Sequence, residues 1–165
     1  MNPKIYICIV ILFSFGCKDK NDLTNQPIEK YPPDNRELVT IKQGIWGNVW
    51  FWEGSFMPVG WGNITPVVRT IYFYQLTRYD SVVPPTGTWF NKINSVLIDS
   101  TLSGSNGFYQ IILAPGEYSV FIKEDTAYYA NWFTVRNSIW YILPVPVKKD
   151  SITEFPIDIT YKSVY

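Results

Sequence analysis

The sequence predicts an all-β domain, a sandwich of seven to eight short strands, and three observations carry that prediction. Beyond residue 41, runs rich in Val, Ile, Tyr, Phe and Trp alternate with clusters of Gly, Pro, Asn, Asp and Ser, the pattern of strands separated by turns. No stretch sustains a helical period with capping residues at its ends. Two turn signatures, "SNGF" and "APGEY", fall between strand-like runs. With 165 residues in all, the chain is long enough for one domain with its own core.

The first strand is predicted at 44–53, "GIWGNVWFWE". Side chains alternate across a strand, so Ile45, Gly47, Val49 and Phe51 share one face and Trp46, Asn48, Trp50 and Trp52 the other. The smaller aliphatic set suits the core between two sheets, which leaves the tryptophans facing outward. Together with Trp61, in a 55–66 insert, they make four of the chain's seven tryptophans. Two readings stay open. The indoles are packing residues shielded by their own loop, or they form a flat surface for a ligand such as a sugar ring, with Trp46, Trp50, Trp52 and Trp61 as the binding residues. Tyr72, Tyr74, Tyr128, Tyr129, Trp132, Trp140 and Tyr141 are candidates to extend such a surface.

Further strands are expected at 67–76, 93–99, 108–114, 117–124, 128–135 and 139–143. Asn106 and Gly107 predict a hairpin between "VLIDSTL" and "FYQIILA", and Pro115 and Gly116 then turn the chain into "YSVFIKED", giving three consecutive antiparallel strands. A last strand runs through "TEFPIDITYKSV", where Pro156 marks an edge position or a strand start.

The N-terminus reads differently. An apolar run over 5–15 falls short of the roughly 20 residues that span a bilayer and fits the h-region of a secretory signal. The box "SFGC" resembles that of bacterial lipoprotein signals, which implies removal of residues 1–16 and acylation of Cys17. An ordinary secretory signal is the alternative. Residues 17–40, polar and carrying Pro27, Pro32 and Pro33, read as the acylated N-terminus and a flexible tether, with the β domain at 41–165. "KDKND" after Cys17 resembles the charged export signal of some Bacteroidota lipoproteins, which implies an outer-membrane, surface-exposed location; a periplasm-facing one is the alternative. The membrane, reached through the lipid, is then the first partner.

"GFYQIILAPGEYSVFIKED", preceded by "STLSGSNG", resembles the carboxypeptidase regulatory-like modules of transthyretin-like (prealbumin-like) fold, with "IWGNVWFW" and "VRTIYFYQL" as the first two strands. The resemblance covers 44–135 and departs from the family at the inserts 55–66 and 77–92. It implies a Greek-key sandwich acting as an accessory or structural module that mediates protein interaction without catalysis. The related hydrolases of hydroxyisourate use histidines and a C-terminal Tyr-Arg-Gly-Ser motif; this chain ends in "YKSVY" and has no histidine, so that activity is not implied.

The absence of histidine removes Ser-His-Asp and Cys-His catalysis and imidazole-ligated metals. Cys8 lies in the removed segment and Cys17 is acylated, so the mature chain has no thiol for a disulfide, redox pair or thiolate metal site. No Ca²⁺-binding loop motif occurs. No cofactor and no metal are therefore expected. The carboxylates Glu53, Asp99, Glu117, Glu124, Asp125 and Glu154 lie at turns and strand ends with nothing to pair two of them across a cleft, and read as solvated charges. Fourteen basic residues balance fourteen acidic ones with no basic block, so nucleic acid is not an expected partner. Lys42 and Asp158 are candidate partners for an isopeptide bond, but Lys42 at the strand entrance reads as solvent-exposed.

Half of the eight aspartates precede Ser or Thr, followed by an apolar residue or, after Ser100, by Thr101, a pattern resembling the Bacteroidota O-glycosylation acceptor. The resemblance names Ser81, Ser100, Thr126 and Ser151 as acceptors, all at predicted strand ends or loops. The plain propensity of Asp, Ser and Thr for turns accounts for the triplets equally well.

Overall fold

A computed structural model describes residues 35–57 and 60–165. The apolar leader, Cys17 and most of the tether lie outside the described residues. The first half of the chain forms β1 (Gly44–Ser55), β2 (Asn63–Pro66), β3 (Thr70–Gln75), β4 (Val82–Val83), β5 (Trp89–Phe90), β6 (Lys92–Ile93) and β7 (Leu97–Leu102). The second half forms β8 (Phe108–Ile111), β9 (Gly116–Glu124), β10 (Ala127–Tyr129), β11 (Phe133–Arg136), β12 (Ile139–Ile142), β13 (Pro144–Val147), β14 (Ile152–Glu154) and β15 (Ile157–Val164). The only helical elements among the described residues are short 3-10 turns at Arg36–Leu38 and Tyr79–Ser81. The all-β expectation therefore holds, with mixed sheets.

Strand β1 is the axis of a five-stranded sheet. On one side lie β14 and β15, both parallel to it; on the other lie β8 and β2, both antiparallel. The second sheet has six strands, in the order β5-β10-β9-β3-β7, with β13 pairing the first half of β9. The consecutive antiparallel strands expected from the turns do not describe this sheet, which is mixed. A strand apolar on both faces belongs at the centre of a sheet covered on both sides, the setting in which parallel pairing occurs. That is where β1 sits, and seven of its first eight side chains or backbone positions run buried without a break.

The two turn signatures reverse the chain but do not pair the strands they join. β7 pairs β3 in the six-stranded sheet, while β8 pairs β1 in the other. The expected hairpin at Asn106 and Gly107 is instead an arch that carries the chain across the core. Gly107 has φ +81°, and a Cβ there would meet the Val49 carbonyl oxygen at 2.8 Å, so glycine answers both the turn and the close approach. "APGEY" crosses back in the same way, since β9 pairs β3, β10 and β13 rather than β8. The expected 128–135 strand is split into β10 and β11, which belong to different sheets.

The core fills the space between the two large sheets. Ile45, Val49, Tyr109, Ile111, Ile157 and Ile159 come from the first, and Ile71, Phe73, Val120, Ile122, Phe90 and Tyr129 from the second. Phe51 packs against it from β1, so the inward face expected of that strand is the one observed. A polar contact bridges the layers: within the second sheet Arg69, just before β3, pairs with Glu124 at the end of β9, and Tyr161 of β15 in the first sheet donates its hydroxyl to the same carboxylate at 2.8 Å. Glu124 is only 8% exposed. Every buried side-chain nitrogen and oxygen among the described residues has a hydrogen-bond partner.

Pro156 explains the break between β14 and β15, because it has no N–H to continue a ladder. At the break the Phe155 N–H donates to the Trp46 carbonyl at 2.8 Å, and a Cβ on Gly47 would lie 2.1 Å from the Phe155 carbonyl oxygen. Gly47 is what lets this neighbouring chain come so close.

Candidate functional site

The tryptophan segment resolves first. Trp46, Trp50 and Trp52 are 2%, 4% and 4% exposed, although they lie outside the inter-sheet core. Each has its own cover. The Arg36 guanidinium lies 5.1 Å from the Trp46 ring centre, with Phe108 beside it. Trp50 opposes Pro66 of β2, and the Gly107 turn closes on its ring. Phe56 packs on Trp52 at 4.9 Å, while the Trp52 indole N–H donates to Asp158 Oδ1 at 2.8 Å. The open indole face held as one alternative is therefore absent at these three positions, because the chain before β1 and the strand after it cover that face.

The covering chain begins earlier than the 41–165 boundary. Asn35 Nδ2 donates to Asn48 Oδ1 at 2.5 Å, Asn106 Nδ2 donates to Asn35 Oδ1 at 3.1 Å, and Arg36 pairs with Glu154 at 2.5 Å. Thr40 and Gln110 exchange two further hydrogen bonds. Residues 35–40, expected to be tether, are docked on the domain. Trp61 is not gathered with the other three and stands 93% exposed. It shares an end of the first sheet with exposed Met57, Val164 and Tyr165, where the Phe56 N–H donates to the Val164 carbonyl at 2.8 Å and the Phe56 and Tyr165 rings stack at 5.8 Å.

The four candidate acceptors fall in different settings. Thr126 is exposed on the turn between β9 and β10, beside Asp125 at φ +47°. Ser100 is exposed but lies within β7, at the edge of the six-stranded sheet, and not in a loop as expected. Ser81 and Ser151 are half-buried, one in a 3-10 turn and one before β14. Cys17 lies outside the described residues.

Asp125 is exposed as expected of a solvated charge, but the other candidate carboxylates have partners, and Glu124 is buried against Arg69 rather than solvated. Glu117 accepts two hydrogen bonds from Arg136 at 2.6 and 2.7 Å, Glu53 faces Lys162 at 3.6 Å, and Asp99 Oδ1 accepts the Ser100 N–H at 2.7 Å. Asp158 is bonded by Trp52, and Lys42 is exposed. Among the described residues no three His, Cys, Asp or Glu side chains gather as a metal site.

A different place has the shape of a site. A hollow of about 410 Å³ opens between the 3-10 turn at 79–81 and the β11–β12 hairpin, lined by Arg78, Tyr79, Asp80, Pro85, Ser138, Ile139 and Trp140. Its walls are fixed to one another. Arg78 bridges Tyr141 of β12, and the Ile142 N–H donates to the Thr77 carbonyl at 3.0 Å. Thr77 is itself held by the buried Ser119 hydroxyl, which accepts its N–H at 2.9 Å.

The hairpin turn has Asn137 at φ +49° and Ser138 at φ +64°, the left-handed pair of a two-residue primed turn, and this sets Ser138 at the rim. Trp140 is 47% exposed; Phe133 stacks on it at 4.5 Å, and Tyr79 lies 6.2 Å away, ring centre to ring centre. The Arg78 guanidinium pairs with Asp80 Oδ2 at 2.6 Å, so the polar side of the hollow carries no net charge. Such a concave, mostly aromatic surface with a few fixed polar groups has the form of a small-ligand site.

Sequence reasoning named Trp140 only as a candidate extension of the β1 face and did not join it to Tyr79. The polar, strand-breaking "RNS" before Trp140 was a local signal for a rigid turn; the long-range pairing that brings "TRYD" to it was not.

The fold and site together define a mixed-sheet, all-β protein with a preformed aromatic hollow. Compared with protein-family models, with curated proteins and with solved structures, the chain shows no match.

Proposed function

We propose that the protein is a non-enzymatic, lipid-anchored surface module of transthyretin-like type, which serves a surface protein partner as an accessory subunit. The carrying observation is the apolar end of the first sheet, where Trp61, Met57, Val164 and Tyr165 are exposed together. Tryptophan, tyrosine and methionine are the residues enriched in protein interfaces, and a nearly fully exposed indole on a monomer surface is costly unless something covers it. The leader and Cys17 support anchoring at the outer membrane, and the tether gives the reach. Ion pairing of Glu53, Glu117, Glu124 and Glu154 with cationic side chains supports a structural role for those carboxylates.

The test uses the full chain in its native envelope. Acyl labelling should be lost in Cys17→Ser. A photo-crosslinking residue at position 61 should give one discrete adduct with a membrane protein, and the same residue at exposed Lys149 none. No adduct at 61, or identical patterns at both positions, overturns the interface; labelling that persists in Cys17→Ser overturns the anchor. O-glycosylation remains part of the proposal, with Thr126 and Ser100, the two exposed acceptors, modified ahead of Ser81 and Ser151. A native intact mass equal to that of the unmodified lipoprotein removes it.

A further inference from the structure

We infer that the hollow between the 79–81 turn and the β11–β12 hairpin binds a neutral carbohydrate, with Trp140 and Tyr79 stacking on a sugar ring and Arg78, Asp80 and Ser138 hydrogen-bonding its hydroxyls. This site is separate from the apolar end of the first sheet and stands or falls independently of the protein-partner reading.

Four features select the ligand class. Volume comes first: about 410 Å³ lies within the range of small-ligand clefts and is too small for a folded partner or a helix. Second, the site is aromatic but not enclosed, with Trp140 close to half exposed. Such a wall suits a ligand that is apolar on its ring faces and wet at its edges, the amphipathic match that indole and phenol rings provide.

Third, charge excludes the anionic alternatives. Arg78 is neutralised by Asp80 at 2.6 Å, and Arg136 on the same hairpin is neutralised by Glu117 through two hydrogen bonds, so among the described residues no unpaired cation lines the hollow to meet a phosphate or a uronate. What remains at the rim is a mixed set of donors and acceptors: guanidinium N–H groups, a carboxylate and a hydroxyl. Neighbouring ring hydroxyls, each both donor and acceptor, are complementary to such a set. Fourth, the walls are held before any ligand arrives, by the Arg78 to Tyr141 bridge, by the Ile142 to Thr77 hydrogen bond and by Phe133 packed on the indole. Binding then orders little of the protein, which favours affinity from a small contact area.

The experiment titrates the full chain, solubilised in detergent, with neutral oligosaccharides (cello-, xylo-, manno- and malto-series). A galacturonan oligosaccharide and adenosine serve as the anionic and the flat non-sugar probes. The readout is the indole N–H spectrum in nuclear magnetic resonance, with tryptophan signals assigned by substitution. At least one neutral series should move the Trp140 signal while leaving Trp46, Trp50 and Trp52 in place, and Trp140→Ala should weaken that binding about tenfold or more. Trp140→Phe should retain part of it, and because phenylalanine keeps a ring against Phe133 it also guards against a variant that fails to fold. The inference is overturned if no neutral series moves Trp140. It is equally overturned if adenosine or the galacturonan moves it instead, or if the shifts fall on Trp61 or Trp132.

Discussion

Gly47→Ala tests the least anticipated part of the fold, the parallel closure of the first sheet by the C-terminal strands. The new methyl carbon would lie 2.1 Å from the Phe155 carbonyl oxygen and 2.7 Å from its carbon, both backbone atoms that no rotamer change can move aside. Restoring ordinary contact requires a displacement of more than about 1 Å, which costs on the order of 1–3 kcal/mol as overpacking. Phe155 also holds two hydrogen bonds, from its N–H to Trp46 and to its carbonyl from the buried Tyr109 hydroxyl. Losing or stretching them adds about 1 kcal/mol each. The expected destabilisation is therefore about 3–5 kcal/mol, a large share of the 5–15 kcal/mol typical of a domain. Urea unfolding followed by tryptophan fluorescence reads it as a lower midpoint at unchanged slope. Gly87→Ala is the control: no atom lies within 4 Å, but φ is +77°, so only the left-handed penalty of about 1–2 kcal/mol applies. A Gly47→Ala protein within about 0.5 kcal/mol of the parent, below any overpacking cost, would mean that Phe155 does not lie against β1 there, and the parallel closure would fall with it.

Three further outcomes follow from other contacts. Arg69→Met leaves the Glu124 carboxylate buried without its cation; because the guanidinium is 30% exposed, the cost is discounted from that of a fully buried pair to about 2–3 kcal/mol, read by the same urea titration. Alkaline pH should unfold the protein through its phenols. Burial, and then the hydrogen bond to Glu124, push Tyr161 up to about 12 from the ordinary 10.0, and burial alone pushes Tyr109 well above it. The folded state thus favours the neutral phenol, and its stabilisation is complete below pH 10 and lost as pH rises towards 12 and beyond; Tyr161→Phe should flatten that loss. Iodide should quench Trp61, Trp89, Trp132 and Trp140 and spare Trp46, Trp50 and Trp52, giving a biphasic plot; uniform quenching would mean that the outer face of β1 is open.

The strands were legible where aromatic and β-branched residues run together between turn signals. β1, β3 and β9 lie close to where their aromatic and β-branched runs place them, and β1 turns Ile45, Val49 and Phe51 inward as its period requires. Partner choice was not legible. Asn106 and Gly107 supply the chemistry of a reversal, but whether the next strand joins the same sheet depends on which edge is free, and here β8 pairs β1. The parallel pairing of β1 with β15 joins residues more than a hundred positions apart, and the only local hint was that β1 is apolar on both faces. For the hollow, the sequence showed Trp140 beside a turn without fixing which way it faces, while Tyr79 reaches it only through the bridge from Arg78 to Tyr141. The fate of the tryptophan face turned on Arg36 and Asn35, polar residues that read as tether until Asn48 and Trp46 gave them somewhere to dock.

The parallel pairing has a mechanical consequence. Because β1 and β15 run side by side in the same direction, the chain enters the pair at Gly44 and leaves it at Val164, at opposite ends of the sheet. Tension between the segment before β1 and anything held at the far end therefore acts along the strands. The hydrogen bonds between them are loaded together in shear, where a hairpin pulled from its open end would unzip one bond at a time. Residues 35–40 lie folded back beside β1, fastened at Asn48 and Gln110, and would peel first as a short shock absorber before the sheet itself takes the load.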